Sequence, residues 1–574
     1  MNMKTVIEIL NEKLEKVFDK LGYDKKYAFF QYSDRPDLGD FQTNCAMPLC
    51  KALHKSPVDI AKTIIEEFKN VDNTIELSIA GAGFINAKVP NSFLMNNLNN
   101  TINDEKIGYT NKDKQKTIII DFSAPNVAKE MHVGHLRSTV IGDSLRRICL
   151  FAGNKVLGDN HIGDWGTNMG MVIEGIRLLH PTAKCFQEGF NEDTITDLSL
   201  KPSDLLDIYK TANAKAKEDE VFAKKVRETT KMLQDGYKPY RTLWRYFWDV
   251  SINDMKDIYK ILETHFDLWN GESSVHEVMK QMIVDFEKRG LITVSEGAKV
   301  VDLSDKDMPP AIIEKSDGAV MYASSDLATI VDRREKYNPD LMLYVVDYRQ
   351  ALHFKQVFEV ATMAGLLDKD HIAIHCPFGT MNGKDGKPFK TRSGDTVKLR
   401  ELINEMISVI AGKSTIKDPE TIQNIAIGCL KFADLINFRE SDYIFDMEKF
   451  TSFEGKTGAY ILYGLVRINS ILKNTEHFDY KITEIRTKEE KDLLIQLTKF
   501  SDVFNITYTK FAPHYLAEYV YTLTKLFSSF YANCPINNET DENYKKSKLS
   551  LIYLVKRHIE ICLGLLGIKT VEKM

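Results

Sequence analysis

Three observations predict a multidomain protein that is part α/β and part all-α. An apolar strand, a turn-rich segment, an amphipathic helix and a second short strand follow one another between residues 117 and 159. A long, charged helical stretch interrupts the middle of the chain, and strand signals end near residue 415. Together these predict a doubly wound parallel sheet at the centre, a small α/β domain before it and a helical bundle after it. The 574 residues correspond to about three to five units of ordinary size, each able to bury a core.

The elements follow in order. Residues 1 to about 112 carry two helical patterns, Val6–Lys20 and Pro57–Phe68, flanking the turn-rich DRPDLGDFQTN. Thr74–Val89 reads as strands interrupted by GAG, and the polar NNLNNTINDEKIGYTNKDKQK is the best linker candidate. TIIIDF, from Thr117, is short, apolar and β-branched, as a buried parallel strand should be. Leu136–Phe151 has apolar residues at helical spacing, and KVLGD is the next strand. This is a βαβ unit and implies a Rossmann-like nucleotide-binding sheet over residues 113–414. Asp204–Phe266 reads as a helical insertion, about residues 200–268, whose Tyr237, Tyr240, Trp244, Tyr246 and Trp248 are expected to pack it onto the sheet domain. LITVSE, AKVVDL, AVMYAS, LMLYVV and HIAIHC are read as strands resuming that domain. Residues 415–574 are expected to be all-helical.

Composition excludes several classes. The 31 glycines and 16 prolines exclude a collagen-like or broadly disordered chain. No apolar run approaches the ~20 residues of a membrane span, and the opening MNMKTVIEILNEKLEKVFDK is a charge-mixed helix rather than a secretory signal. The eight cysteines are scattered with no CxxC pair, which points to a reducing cytoplasm. Net charge is −5, so a nucleic-acid partner needs a local basic surface. Residues 451–574 carry 17 Lys/Arg against 14 Asp/Glu, the sign an RNA-binding module requires.

The sharpest chemical signal is HVGH at 132–135, between a buried strand and a helix. A helix N-terminus offers unpaired N–H groups and a positive dipole end to phosphate. Gly134 leaves room for a purine ring, and His132 and His135 can donate hydrogen bonds to charge developing in a displacement at phosphorus. A chance HxGH or a two-histidine chelate is the alternative, although no third ligand lies close by and no metal site is expected. Lys384, Lys387, Lys390 and Arg392 form a glycine-punctuated basic loop suited to a pyrophosphate leaving group; a solvated charged turn is the plain alternative. GKST (412–415) and GKT (455–457) lack the earlier glycine of a P-loop.

PNVAKEMHVGHLRSTVIGD resembles the HIGH signature of class I aminoacyl-tRNA synthetases in its arginyl-tRNA synthetase form. NHIGDWGTNMG (160–170) is similar to that family's second block, and FGTMNGKDGKPFKTRSGDTVKL (378–399) to its degenerate KMSKS loop. GDFQTN and IAGAGFIN resemble its N-terminal tRNA-binding extension. SFEGKTGAYILY, PHYLAEYVYTL and the final GLLGIKTVEKM resemble its helical anticodon-binding domain. The match runs nearly end to end, in the family's order. It implies activation of L-arginine by ATP with Mg²⁺, then transfer to tRNA(Arg), with tRNA required for activation.

The resemblance also implies roles for individual residues. His132, His135, Lys129, Lys390 and Arg392 are the expected catalytic groups. His132, Gly134, His135, Lys384, Lys387 and Lys390 are expected to hold ATP. PFKTR replaces KMSKS here, so the usual second lysine is missing, and Lys129, just before HVGH, takes the place of its family substitute. Tyr322 and Asp326, four residues apart and so on one face of a helix or tight turn, match the guanidinium-binding positions. Ala124, Pro125, Asn126, His135 and Gln350 are expected around the rest of the amino acid, with Glu272 a further acidic partner. Phe41, Gln42 and Asn44, read as a turn, together with Tyr531 and Met574, are the tRNA-contact candidates; core packing and an ordinary Asx turn compete for them. The chain is expected to act in the cytoplasm as a monomer with no membrane partner. An HxGH motif alone also fits a nucleotidylyltransferase or a synthetase for another amino acid, and a non-catalytic RNA-binding or arginine-sensing paralogue is a third reading.

Overall fold

A computed structural model describes residues 3–316, 321–387, 389, 397–473, 475 and 478–574. At the N-terminus, Val6–Leu21 and Pro57–Val71 are helices. They bury Val6, Leu10, Leu14, Val17 and Phe18 against Ile60, Ile64 and Phe68, the stripe their spacing requires. Thr5 and Glu8 close the first helix with a reciprocal capping box. The helices cover an antiparallel sheet of β1 (Gln31–Tyr32), β2 (Phe41–Thr43), β3 (Glu76–Ala80) and β4 (Phe84–Lys88), in the order β1-β2-β4-β3.

Two expectations fail here. Phe41–Thr43 is a strand paired with β4, because Phe41 completes the buried face, so these residues do not form a turn. The expected linker is packed. Asn91–Asn99 is helical, Ile107 and Tyr109 are buried, and the Tyr109 ring centroid lies 4.3 Å from that of Phe504. Arg557 clamps the carbonyls of Ile102 and Asp104 at 2.5 and 2.9 Å. Isolated apolar residues in a polar run are enough to seat it in the seam between the first and last domains.

The central sheet is four-stranded and parallel. It comprises β5 (Thr117–Phe122), β6 (Lys155–Asp159), β10 (Leu341–Val345) and β11 (Ile372–His375), in the order β11-β10-β5-β6. Ile118, Ile119 and Ile120 are buried on both faces, as an internal parallel strand demands. β5 runs through a loop into the helix Val133–Phe151, which returns to β6, confirming the βαβ reading.

Only LMLYVV and HIAIHC rejoin this sheet. β7 (Thr293–Ser295), β8 (Ala298–Val301) and β9 (Ala311–Glu314) form a separate antiparallel sheet. Glu296 (φ 51°) and Gly297 (φ 81°) make the tight β7–β8 turn, whose two positive φ angles match the twist of a hairpin. The described part of AVMYAS is no strand, because the helix Tyr322–Tyr337 starts there.

Helices Pro202–Glu218, Glu220–Gln234 and Lys238–Ile261 form the expected insertion. Tyr240 and Trp244 are buried as expected, whereas Tyr237 is 45% exposed. Helices dominate the chain beyond residue 415. The two-residue strand Tyr443–Ile444 is a departure from this, and it pairs in parallel with Met381–Asn382 beside the basic loop. Arg137 on the Val133–Phe151 helix reaches Asp434 at 3.0 Å and the carbonyls of Ser441 and Arg439. The Val133–Phe151 helix is thereby tied to the segment that follows the loop.

Candidate active site

His132 is the N-cap of the Val133–Phe151 helix. Its Nδ1 accepts from the Gly134 N–H (3.1 Å), and its own N–H donates to His135 Nδ1 (3.0 Å). This reciprocal cap is built from imidazoles instead of the usual hydroxyl and carboxylate. The rings stack at 3.9 Å. Burial first, then Lys129 for His132 and both His132 and Lys129 for His135, push the two histidines toward the neutral form, His135 to about 3. At neutral pH each keeps one N–H to donate. Gly134 is exposed at the first turn, and a Cβ there would sit 2.9 Å from the His132 ring.

The loop entering this helix is strained. Ser123, Ala124 and Ala128 all have positive φ (74°, 44° and 59°), a conformation that costs side-chain-bearing residues energy and clusters at functional sites. It is held from outside. The Asn160 side chain accepts from the Ala124 N–H (3.1 Å), and the Ser251 hydroxyl accepts from that of Ala128 (3.0 Å). Asn126 bridges to Gly163, where a Cβ would lie 2.2 Å from Asn126 Oδ1, so a larger residue there would displace the Asn126 amide. Pro125, Asn126 and the GDWG block therefore share one wall.

The end of the basic loop is anchored to the HVGH segment. Val133 N–H donates to the Val397 carbonyl (3.1 Å), Leu399 N–H to that of Met131 (2.9 Å), and Lys398 pairs with Glu130 at 2.7 Å. Lys384 and Lys387 are exposed at the other end of the loop, where Lys384 reaches Asp446 at 3.2 Å. Lys390 and Arg392 lie outside the described residues.

Across the mouth, Tyr322 opens its helix and Asp326 follows one turn later, as the i, i+4 spacing predicts. Asp326 Oδ2 lies 2.5 Å from His353 Nε2, and Tyr322 is 66% exposed. Glu272 converges on them. Burial first, then the charges of Asp164 and Asp326, push its carboxyl up to about 8. Gln350 is exposed just past β10, at the same end of the sheet.

Residues absent from the sequence reading underpin this pocket. Asp164 is buried, and burial raises its pKa. It accepts from the Ser273 N–H (2.9 Å) and hydroxyl (2.7 Å), which fixes the turn carrying Glu272. Arg333, two turns after Asp326, is buried and pairs with Asp121 at 2.6 Å and Asp159 at 2.7 Å, the last residues of the β5 and β6 registers. His161 joins the same cluster through Thr329 (3.3 Å). The signal available in sequence was DF, GD and RR at strand and helix ends, too common to single out.

The family model described as "tRNA synthetases class I (R), catalytic domain" matches residues 97–447. The chain belongs to the arginyl-tRNA synthetase family. The "Arginyl tRNA synthetase N terminal domain" matches residues 4–89 and the "DALR anticodon binding domain" residues 461–574. An "Arginine--tRNA ligase" of Francisella tularensis subsp. holarctica is 41% identical, over 98% of this chain and 99% of its own length. One of Alkaliphilus oremlandii is 40% identical over the whole of both. Among solved structures, the arginyl-tRNA synthetase of Plasmodium falciparum superposes with a TM-score of 0.83 at 26% identity, covering all of both chains. That of Thermus thermophilus shares the fold (TM-score 0.78, 19% identity, 99% of this chain and 100% of its own).

The residues that family resemblance assigns to tRNA are divided in this structure. Phe41 is fully buried against Tyr32, so its ring builds the core and presents no surface to RNA. Gln42 is half-buried and Asn44 exposed. Tyr531 is 46% exposed, with the Arg467 guanidinium 5.7 Å from its ring centroid and 4.3 Å from that of Tyr463. Met574 is half-buried against the helical core. Among the described residues no helix is long and apolar enough to cross a membrane.

Proposed function

We infer that the chain joins L-arginine to the 3′ end of tRNA(Arg), using ATP by way of an arginyl-adenylate. The observation that carries this reading is the placement of a stacked imidazole cap on a helix N-terminus beside a pocket of converging carboxyls, Asp326 and Glu272. One side suits phosphate; the other suits a guanidinium, which meets a carboxylate through two parallel hydrogen bonds.

In the first step an arginine carboxylate oxygen bonds to the α-phosphorus of ATP, and the bond to the pyrophosphate oxygen breaks. His132 and His135, neutral at physiological pH, donate hydrogen bonds to phosphate oxygens, where the growing charge makes those bonds stronger than in the ground state. Lys129 and the loop residues Lys384, Lys387, Lys390 and Arg392 neutralise the departing pyrophosphate, with Mg²⁺ arriving on ATP. In the second step a ribose hydroxyl of the tRNA terminus attacks the adenylate carbonyl and AMP leaves. No protein nucleophile is required, because positioning supplies the acceleration. Ala124, Pro125, Asn126 and Gln350 hold the amino and carboxyl ends of arginine; Tyr322 and Asp326 hold the guanidinium. Lysine, a point charge, would leave part of the Tyr322 and Asp326 hydrogen-bonding capacity unpaired.

In this reading residues 1–112 and 415–574 grip the tRNA, through Gln42, Asn44, Tyr531 and Met574, on either side of the catalytic domain at 113–414. The eight thiols, all unpaired, fit a reducing cytoplasm. The test is ATP–pyrophosphate exchange with arginine, run with and without tRNA(Arg). Exchange only with both supports ligation and tRNA-dependent assembly. Exchange without tRNA overturns the dependence, and none in either condition overturns the ligase.

A further inference from the structure

Lys129 is an isolated cation in an unusual setting. It is half-buried, burial pushes its ammonium toward the neutral form, and among the described residues it has no carboxylate partner. What holds it is an aromatic ring from another part of the fold. Its Nζ lies 4.8 Å from the centroid of Tyr209, on the insertion helix Pro202–Glu218. That ring is itself anchored, because the Tyr209 hydroxyl donates to Asn168 Oδ1 at 3.1 Å, in the block that follows β6. On the other side Tyr209 is within electrostatic reach of Tyr322 at the arginine pocket. The ring thus joins the segment just before HVGH to the block that follows β6.

We propose that Tyr209 is a positioning residue for the ATP step, its ring face holding the Lys129 ammonium over the phosphate side of the HVGH helix. A lysine stem loses substantial rotamer freedom when its head is fixed. A ring face fixes it without neutralising it, whereas a carboxylate would compete with phosphate for the charge. The cation is therefore ordered before ATP arrives and free of a rival anion. Tyr209 acts only through Lys129, and the insertion that supplies it thereby takes part in ATP activation as well as packing. The proposal rests on the ligase reading above.

The test is a double-substitution cycle on the full-length protein, reading kcat/KM for ATP in tRNA-dependent exchange and the ATP dissociation constant by calorimetry. Tyr209→Leu is expected to lower kcat/KM for ATP about fivefold, the range of one cation–π contact, with the KM for arginine changed less than twofold. Tyr209→Phe, which keeps the ring, stays within twofold of the native protein. In a Lys129→Ala background Tyr209→Leu has no further effect. An equal loss in both backgrounds would make Tyr209 a packing residue of the insertion and sink the proposal. So would a Phe variant as impaired as Leu, or a Leu variant that is fully active. If the native protein shows no exchange, the ligase reading fails; the calorimetric cycle still decides whether Tyr209 and Lys129 are coupled in binding ATP, as it does if Lys129→Ala abolishes exchange.

Discussion

Glu272 lies close enough to Asp326 to feel its charge. Glu272, pushed up to about 8, is mostly protonated at pH 7. An arriving guanidinium favours its ionised form, so arginine binding releases a proton. Arginine affinity should therefore rise as pH is raised from 6.5 toward 8, by up to about tenfold per unit, and flatten above. Glu272→Gln should remove that slope. Titrating arginine by calorimetry across this range checks it, and a native curve as flat as that of the Gln variant would contradict the assignment. Asp326→Asn leaves shape but no charge for the guanidinium. Losing one partner of a desolvated charge pair costs about 2–5 kcal/mol, so kcat/KM for arginine should fall on the order of a hundredfold while the KM for ATP changes little. A fall of less than threefold would place the guanidinium elsewhere.

At the scale of elements, the helix Tyr322–Tyr337 carries the proposed arginine pocket at one end and its anchor further along. Arg333 lies beneath the sheet ends and pairs with both Asp121 and Asp159. Arg333→Met would leave two buried carboxylates facing each other. The expected destabilisation is about 3–5 kcal/mol, measured by urea unfolding, with arginine binding weakened because Asp326 loses its footing; a loss under 1 kcal/mol would mean that the pair is not what holds the helix.

The same elements show what the sequence carries and what it withholds. TIIIDF and HVGH were legible because a run of β-branched residues and a helix start leave local marks. Tyr322 and Asp326 were legible through family register and helical spacing. Arg333, Asp164 and Tyr209 were not, since each acts through a partner 80 or more residues away in the chain, and no local pattern encodes that distance. The misplaced strands fail for a related reason. LITVSE and LMLYVV are similar as local strings, and only the Glu296–Gly297 turn, which forces a hairpin, separates an antiparallel ribbon from a sheet strand. Phe41 shows the converse, since an aromatic in a polar motif was needed by the core.

At the scale of the whole molecule, the C-terminal segment returns to the Val133–Phe151 helix. Ser144 donates to the Leu565 carbonyl (3.0 Å) and Arg147 to that of Gly564 (3.3 Å). Lys431, buried at the same junction, donates to the Gly567 carbonyl at 2.6 Å with Asp143 at 3.9 Å. Helices from the anticodon-binding end are thus continuous with the helix that His132 caps. Burial pushes the Lys431 ammonium down to about 8, below its ordinary value near 10.4, so the folded state sheds this proton before the unfolded chain does. Below pH 8 both states hold it, and the buried charge costs the fold roughly 3 kcal/mol at about 1.4 per pKa unit. Between pH 8 and the unfolded pKa, the unfolded state binds more protons, so stability rises with pH on this account. Lys431→Met removes the charge and with it this slope. Urea unfolding at pH 7.5 and 9.5 should show native stability gaining roughly 2 kcal/mol relative to the Met variant over that interval. A difference between the two proteins that stays constant with pH would mean that Lys431 is neutral or solvated at neutral pH. The junction would then be held by Ser144 and Arg147 without a buried charge at its centre.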